Sequence, residues 1–93
     1  MPRLFKIGSY TVYFWVNENQ PVEPIHVHIS EGHQTANSTK IWITSEGKCK
    51  LCNNNSKIPA KYLYNIMKLI EQTNKKIIDK WKEYFGEVNF IDD

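Results

Sequence analysis

Two histidines two residues apart, His26 and His28, are the first residues in this chain whose type and spacing suit chemistry. They lie in Pro21 to Ser30, PVEPIHVHIS, where Ile25, Val27 and Ile29 alternate with His26, His28 and Ser30. Such a period-two pattern places successive side chains on opposite faces of a strand. One face is then apolar and the other carries both imidazoles, spaced roughly 6.5 to 7 Å apart at about 3.3 Å per residue. Imidazole titrates nearest neutral pH, so the pair suits the donor and acceptor of a proton-transfer reaction, such as RNA cleavage through its own 2′-hydroxyl. Arg3 or Lys6 would then stabilise the phosphorane charge. The competing reading is two half-exposed histidines that merely have partners in a sheet.

Metal binding is a third reading of the same pair. With Cys49 and Cys52 the histidines make a set sufficient for tetrahedral zinc. On a straight strand, however, positions three apart face opposite ways, so Cys49 and Cys52 need a tight turn to chelate together. His33, in the loop after Gly32, is an alternative third ligand but reads first as a surface residue. Neither a metal nor a cofactor is therefore expected.

The elements that must position the histidines are legible on both sides. Arg3 to Ile7 reads as a short strand, Gly8-Ser9 as a turn, and Tyr10 to Val16 (YTVYFWV) as an aromatic and β-branched strand. The polar stretch Asn17 to Pro24, with two prolines, cannot continue a ladder. Thr39 to Thr44 alternates again, Lys48 to Cys52 makes a last short strand, and Asn53 to Ser56 makes a loop. If neighbouring strands are in register, Tyr13, Trp15 and Trp42 share the histidine face, where open aromatics can stack bases; the competing reading is a second mini-core or an interface with another protein.

From Pro59 onward the period changes to that of a helix. Leu63, Ile66, Met67, Ile70, Ile77, Ile78, Trp81, Tyr84 and Phe85 form one apolar arc, and Gly86 is a natural stop. Asn74 lands in the middle of that arc. An unbroken helix from Pro59 to Phe85 would be roughly 40 Å long, against about 24 Å for five strands. It must overhang, bend near Asn74 or meet a second copy; one long helix is the first expectation and a break at Thr73-Asn74 the second.

Lys61, Lys68, Lys75 and Lys82 recur every seven residues on the same segment and form a basic stripe. Such a stripe can follow a phosphate backbone and make binding salt-dependent. It can equally be a solvated face held by the i,i+4 pairs Glu71–Lys75 and Lys75–Asp79.

Length and composition bound the rest. Ninety-three residues with 41% apolar side chains suit a single domain, divided into a sheet-forming part (1–56), a helix (57–86) and an acidic tail (87–93). Net charge is +2, but residues 57 to 85 carry seven lysines against three acids, while the last eight carry three acids and no base. A polyanionic partner fits that asymmetry, and the tail is a candidate screen for the basic face. Neither a secretory signal nor a membrane span is evident, and two cysteines suit a reducing, cytoplasmic setting.

Taken together, the opening Met1-Pro2, the aromatic strand, Pro24-Ile25-His26-Val27-His28-Ile29, Lys40-Ile41-Trp42-Ile43 and the ending Ile77-Ile78-Asp79-Lys80-Trp81-Lys82-Glu83-Tyr84-Phe85-Gly86 resemble a family of small bacterial proteins, domain of unknown function 4160. The resemblance implies a small α+β domain whose gene commonly neighbours that of another small protein, hence a toxin–antitoxin-like or regulatory pair. His26 and His28 carry over by position, whereas His33, Cys49 and Cys52 do not.

The expectation is thus an α+β domain: an antiparallel sheet of four to five strands with a C-terminal helix on its apolar face. The first functional expectation is a component of a bacterial toxin–antitoxin-type module acting on RNA or translation through His26 and His28, with Arg3 in support. The alternative is a non-catalytic antitoxin or regulator that holds nucleic acid or protein through Lys61, Lys68, Lys75 and Lys82, with Tyr13 and Trp15 as stacking surfaces. A small protein encoded nearby, RNA or DNA, and a second copy of the chain are the expected partners; a membrane is not.

Overall fold

In a computed structural model describing residues 2–16, 22–35 and 37–93, five strands precede two helices among the described residues. The strands are β1 (Arg3–Ile7), β2 (Tyr10–Tyr13), β3 (His26–Glu31), β4 (Thr39–Ile43) and β5 (Cys49–Asn53), and the helices are α1 (Ala60–Gln72) and α2 (Asn74–Phe85). Met1, Ala36 and the first part of the expected polar linker, Asn17 to Pro21, lie outside the described residues. The strands form one antiparallel meander in the order β1-β2-β3-β4-β5.

Register carries the alternation across the sheet. Val12 lies opposite Ile29 and Val27 opposite Ile41, while Tyr13 lies opposite His28 and His26 opposite Trp42. The apolar row becomes the core with Ile25, Ile43 and the inward residues Leu63, Ile66, Ile70, Ile77 and Trp81 of the helices. The regular β2 ladder ends at Tyr13, short of the expected Val16, although the Phe14 N–H still donates to the Pro2 carbonyl. Phe14 packs instead against Trp81, Tyr84 and Phe85. Tyr84, expected in the buried stripe, is 49% exposed and meets Phe14 in a T-shaped contact at 5.8 Å.

The single long helix is not formed. Thr73 departs from helical geometry at φ −112°, ψ 16°, leaving helices of 13 and 12 residues, each about 20 Å long at 1.5 Å per residue. Two local competitors explain the break: the Thr73 hydroxyl donates to the Leu69 carbonyl, and the Asn74 side-chain amide donates to that of Glu71. Asn74 is also wedged against the β4–β5 turn, where a Cβ on Gly47 would lie 2.8 Å from its side chain. The bend resolves the mismatch of lengths, since a 40 Å rod would overhang a molecule whose longest extent is 32 Å.

Both helix ends follow from local chemistry. Pro59 is the N-cap and not the first helical residue; its carbonyl accepts the N–H of Tyr62 and of Leu63. Gly86 terminates α2 at φ 78°, a left-handed conformation that glycine adopts without steric cost, and donates to Lys82. Beyond it the acidic tail returns to the sheet. Asn89 accepts the Ile25 N–H, and Asp92 accepts both the N–H and the hydroxyl of Ser45. These contacts place the tail at the β4–β5 turn and the start of β3.

Candidate functional site

Strand β3 presents His26 and His28 on the face opposite the helical core, with ring centroids 5.3 Å apart and planes at 82°. Tyr13 of β2 stacks on His28 at 5.8 Å, while His26 meets Trp42 of β4 at 5.5 Å and Trp81 of α2 at 5.4 Å. The rings do not face solvent as expected: His26 is 4% and His28 6% exposed. The β3–β4 loop supplies part of the cover. Its Thr35 carbonyl and Ser38 hydroxyl lie 2.9 and 2.6 Å from the Tyr13 hydroxyl, and Ser38 Oγ is 3.4 Å from His28 Nδ1.

Hydrogen bonding and burial define the protonation state. His26 Nδ1 lies 2.9 Å from the Pro24 carbonyl, and because a carbonyl only accepts, Nδ1 carries the proton and leaves Nε2 as the basic nitrogen. Burial pushes His26 below its ordinary range, against the opposing pull of that carbonyl. Burial, with His26 adding to it, pushes His28 down to about 4. Both rings are therefore neutral at pH 7, with no imidazolium to serve as a general acid.

The cation beside them is not Arg3. Arg3 is exposed on the edge strand opposite Tyr13, two strand spacings or roughly 10 Å from the His28 strand. Lys40, opposite His28 on β4, stands 4.3 Å over the Trp42 ring and 2.9 Å from the Glu23 carboxylate. That hydrogen bond, more than the nearby histidines, holds the Glu23 carboxyl below its usual range. Nothing in residue type or spacing marks Glu23 or Ser38 as neighbours of the pair. For Lys40 a signal exists, because it alternates with Ile41 just as His28 does with Ile29.

Of the expected stacking surfaces, Tyr13 is closed and Trp15 is only partly covered. Tyr13 is fully buried with its hydroxyl engaged, and Trp15 is half-buried against it at 5.6 Å. The cysteines stand apart on β5, with β4 between them and the histidines. Cys49 is half-buried, its thiol 3.4 Å from the Met67 carbonyl and pushed up to about 12 by burial and by Glu71, while Cys52 is exposed. No three His, Cys, Asp or Glu side chains converge as ligands among the described residues.

The helices present the accessible chemistry. Lys61 and Lys68 on α1, and Lys75 and Lys82 on α2, are all exposed, and none is ion-paired among the described residues. The expected Glu71–Lys75 pair does not close, because the Glu71 carboxylate accepts the Cys49 N–H. The break at Thr73 divides the stripe into two pairs, each spanning about 10.5 Å along its helix. Three tyrosines join them: Tyr62, Tyr64 and Tyr84 are 47%, 63% and 49% exposed, with Lys61 over Tyr62 at 5.4 Å and Lys68 over Tyr64 at 5.5 Å. Tyr62 and Tyr64 flank the buried Leu63, a spacing that could have marked them as outward-facing.

No helix among the described residues is long and apolar enough to cross a membrane. Neither the curated proteins nor the solved structures contain a match to the chain. A family model described as "Domain of unknown function (DUF4160)" matches residues 9–82, from the turn before β2 to the last turn of α2, and so takes in the histidine strand and all four lysines. On that match the chain belongs to the DUF4160 family.

Proposed function

We propose that this protein is a non-catalytic binding module that holds a polyanion, a nucleic acid in the first place, on the outer face of its two helices. The observation that carries the reading is a contrast in access. Lys61, Lys68, Lys75 and Lys82 are exposed and unpaired among the described residues, with tyrosines beside them, whereas the histidine pair is enclosed and neutral. Exposed lysines supply attraction to phosphates, and tyrosine rings add sequence-tolerant stacking. The docked tail supports the same reading, because its Asp92 carboxylate is engaged by the N–H and hydroxyl of Ser45.

In the cell this reading corresponds to the antitoxin or regulatory half of a cytoplasmic two-gene module, paired with a small protein encoded beside it or with a second copy of itself. The other half of such a module, a toxin acting on RNA through His26 and His28, requires the rings to be uncovered and one of them to be protonated. Burial and neutrality weigh against it.

The test is fluorescence-anisotropy binding to a short single-stranded RNA and a short DNA duplex over a range of salt. Engagement of all four lysines predicts a log–log slope of about −3 for the single strand and about −3.6 for the duplex. Replacing the four lysines with alanine, with the fold checked by circular dichroism, should abolish binding. Salt-insensitive binding, or none by the wild type, overturns the reading. Growth arrest on expression that is relieved by His26→Ala with His28→Ala would restore the toxin alternative.

A further inference from the structure

Between the Gly8-Ser9 turn and the first half of α1 lies a cleft of about 480 Å³, well inside the range of small-ligand sites. Ile7 and Ile66 supply its apolar lining, and Tyr10, Glu31, Tyr62 and Asn65 its polar one. Although the helices are basic overall, this lining contains one carboxylate and no lysine or arginine. Its acid is also oriented: the Ser9 hydroxyl donates to Glu31 Oε2 at 2.6 Å, and Glu31 lies directly opposite Tyr10 in the β2–β3 register. Across the cleft, Tyr10 and Tyr62 set their rings 6.2 Å apart at 38°.

A hydrogen-bonded carboxylate next to two tyrosine rings is an arrangement that can recognise an organic cation. The chain itself gives an instance, since Lys61 Nζ sits 5.4 Å from the Tyr62 ring centroid. Tyr10 feels the same field: desolvation, Glu31 and Tyr62 hold its hydroxyl above the ordinary range. We propose that this cleft binds an ammonium or guanidinium group, with Glu31 as counter-ion and Tyr10 and Tyr62 as ring partners. The site borders the lysine face at Tyr62, whose ring Lys61 also approaches, but its ligand has the opposite charge. The same head group can come from an arginine or lysine side chain of another polypeptide or from a free polyamine.

The experiment is a titration of the full chain followed by amide NMR, using N-acetyl-arginine amide, its neutral isostere N-acetyl-citrulline amide, and spermidine. The two cations should give saturable shifts centred on Ser9, Glu31 and Asn65, and the citrulline compound none. Tighter binding of the arginine compound identifies a polypeptide side chain as the source, and tighter binding of spermidine identifies a polyamine. Glu31→Gln, which keeps an acceptor for Ser9, should weaken cation binding about two- to fivefold. Lys61→Gln, by clearing the resident ammonium from Tyr62, should strengthen it. Equal binding of the arginine and citrulline compounds, shifts elsewhere, no saturable shift, or Glu31→Gln binding like wild type overturns the proposal.

Discussion

The two faces of the sheet start from the same alternation and finish under different cover. On one, Val12, Val27, Ile29 and Ile41 meet two helices through apolar contacts alone. On the other, Tyr13, His26 and His28 are enclosed by loop atoms, by neighbouring rings and by hydrogen bonds to backbone and hydroxyl groups. Polarity of a strand face thus does not determine its exposure: Tyr13, His26 and His28 are buried with partners for their polar atoms, and Ser30 is buried with none for its hydroxyl among the described residues. The apolar face takes its stability from area removed from water, which is insensitive to pH. The imidazole face stays buried only while its rings are neutral.

Trp81 touches both regions, packing on Phe14 and Phe85 and also on His26, with its indole fully buried. Trp81→Ala should therefore be the most damaging single change, costing about 3 to 5 kcal/mol, read as a lowered urea midpoint. Ile70→Ala, confined to the helical face, should cost about 2 to 5 kcal/mol and leave the environment of the histidine rings unchanged. A Trp81 variant that unfolds no more easily than an exposed-site variant would remove the link between the faces.

Acid should separate the faces next. The unfolded chain protonates its histidines near pH 6.5, whereas His28 in the fold does so only at about 4. Between those values the unfolded state binds more protons, so stability is full above about pH 6.5 and falls as pH drops toward 4. His28→Leu should flatten that slope while costing little at pH 7, because the hydrogen bond it removes is long, 3.4 Å from Ser38. An unchanged slope would show that the acid sensitivity arises elsewhere.

Much of this fold can be read from residue order, and the failures share a cause. Period-two runs mark the strands, the apolar arc from Leu63 to Phe85 marks the helices, and Gly86 marks the stop. What covers the second face cannot be read that way, because it depends on where a polar loop folds. Nothing in EGHQTANS announces that Ser38 will return to Tyr13 and His28, 25 and 10 residues away in sequence. The helix break was ambiguous for a related reason. Asn74 is compatible with either outcome until its side chain meets Gly47, a long-range contact that periodicity does not contain. Likewise Arg3 was the visible cation near the strand, but register brings Lys40 to the histidines instead.

Two smaller effects sharpen the comparison. Gly47→Ala places a Cβ 2.8 Å from Asn74 at a φ of +79° and should cost about 1 to 3 kcal/mol. Asn74→Ala should relieve part of that cost, a coupling that a double-mutant cycle on thermal unfolding detects. Last, replacing any one of Lys61, Lys68, Lys75 or Lys82 with alanine should change stability by no more than about 0.5 kcal/mol. The same change should lower the salt slope of nucleic-acid binding by about 0.7 to 0.9.

Ring-resolved NMR titration of His26 and His28 bears most directly on whether the imidazole face is closed. Neutral rings at pH 7 are predicted, with the His26 proton on Nδ1 and His28 taking up its second proton only near pH 4. Rings that titrate near pH 6.5, in free exchange with solvent, would contradict the closed face and return the pair to proton-transfer chemistry.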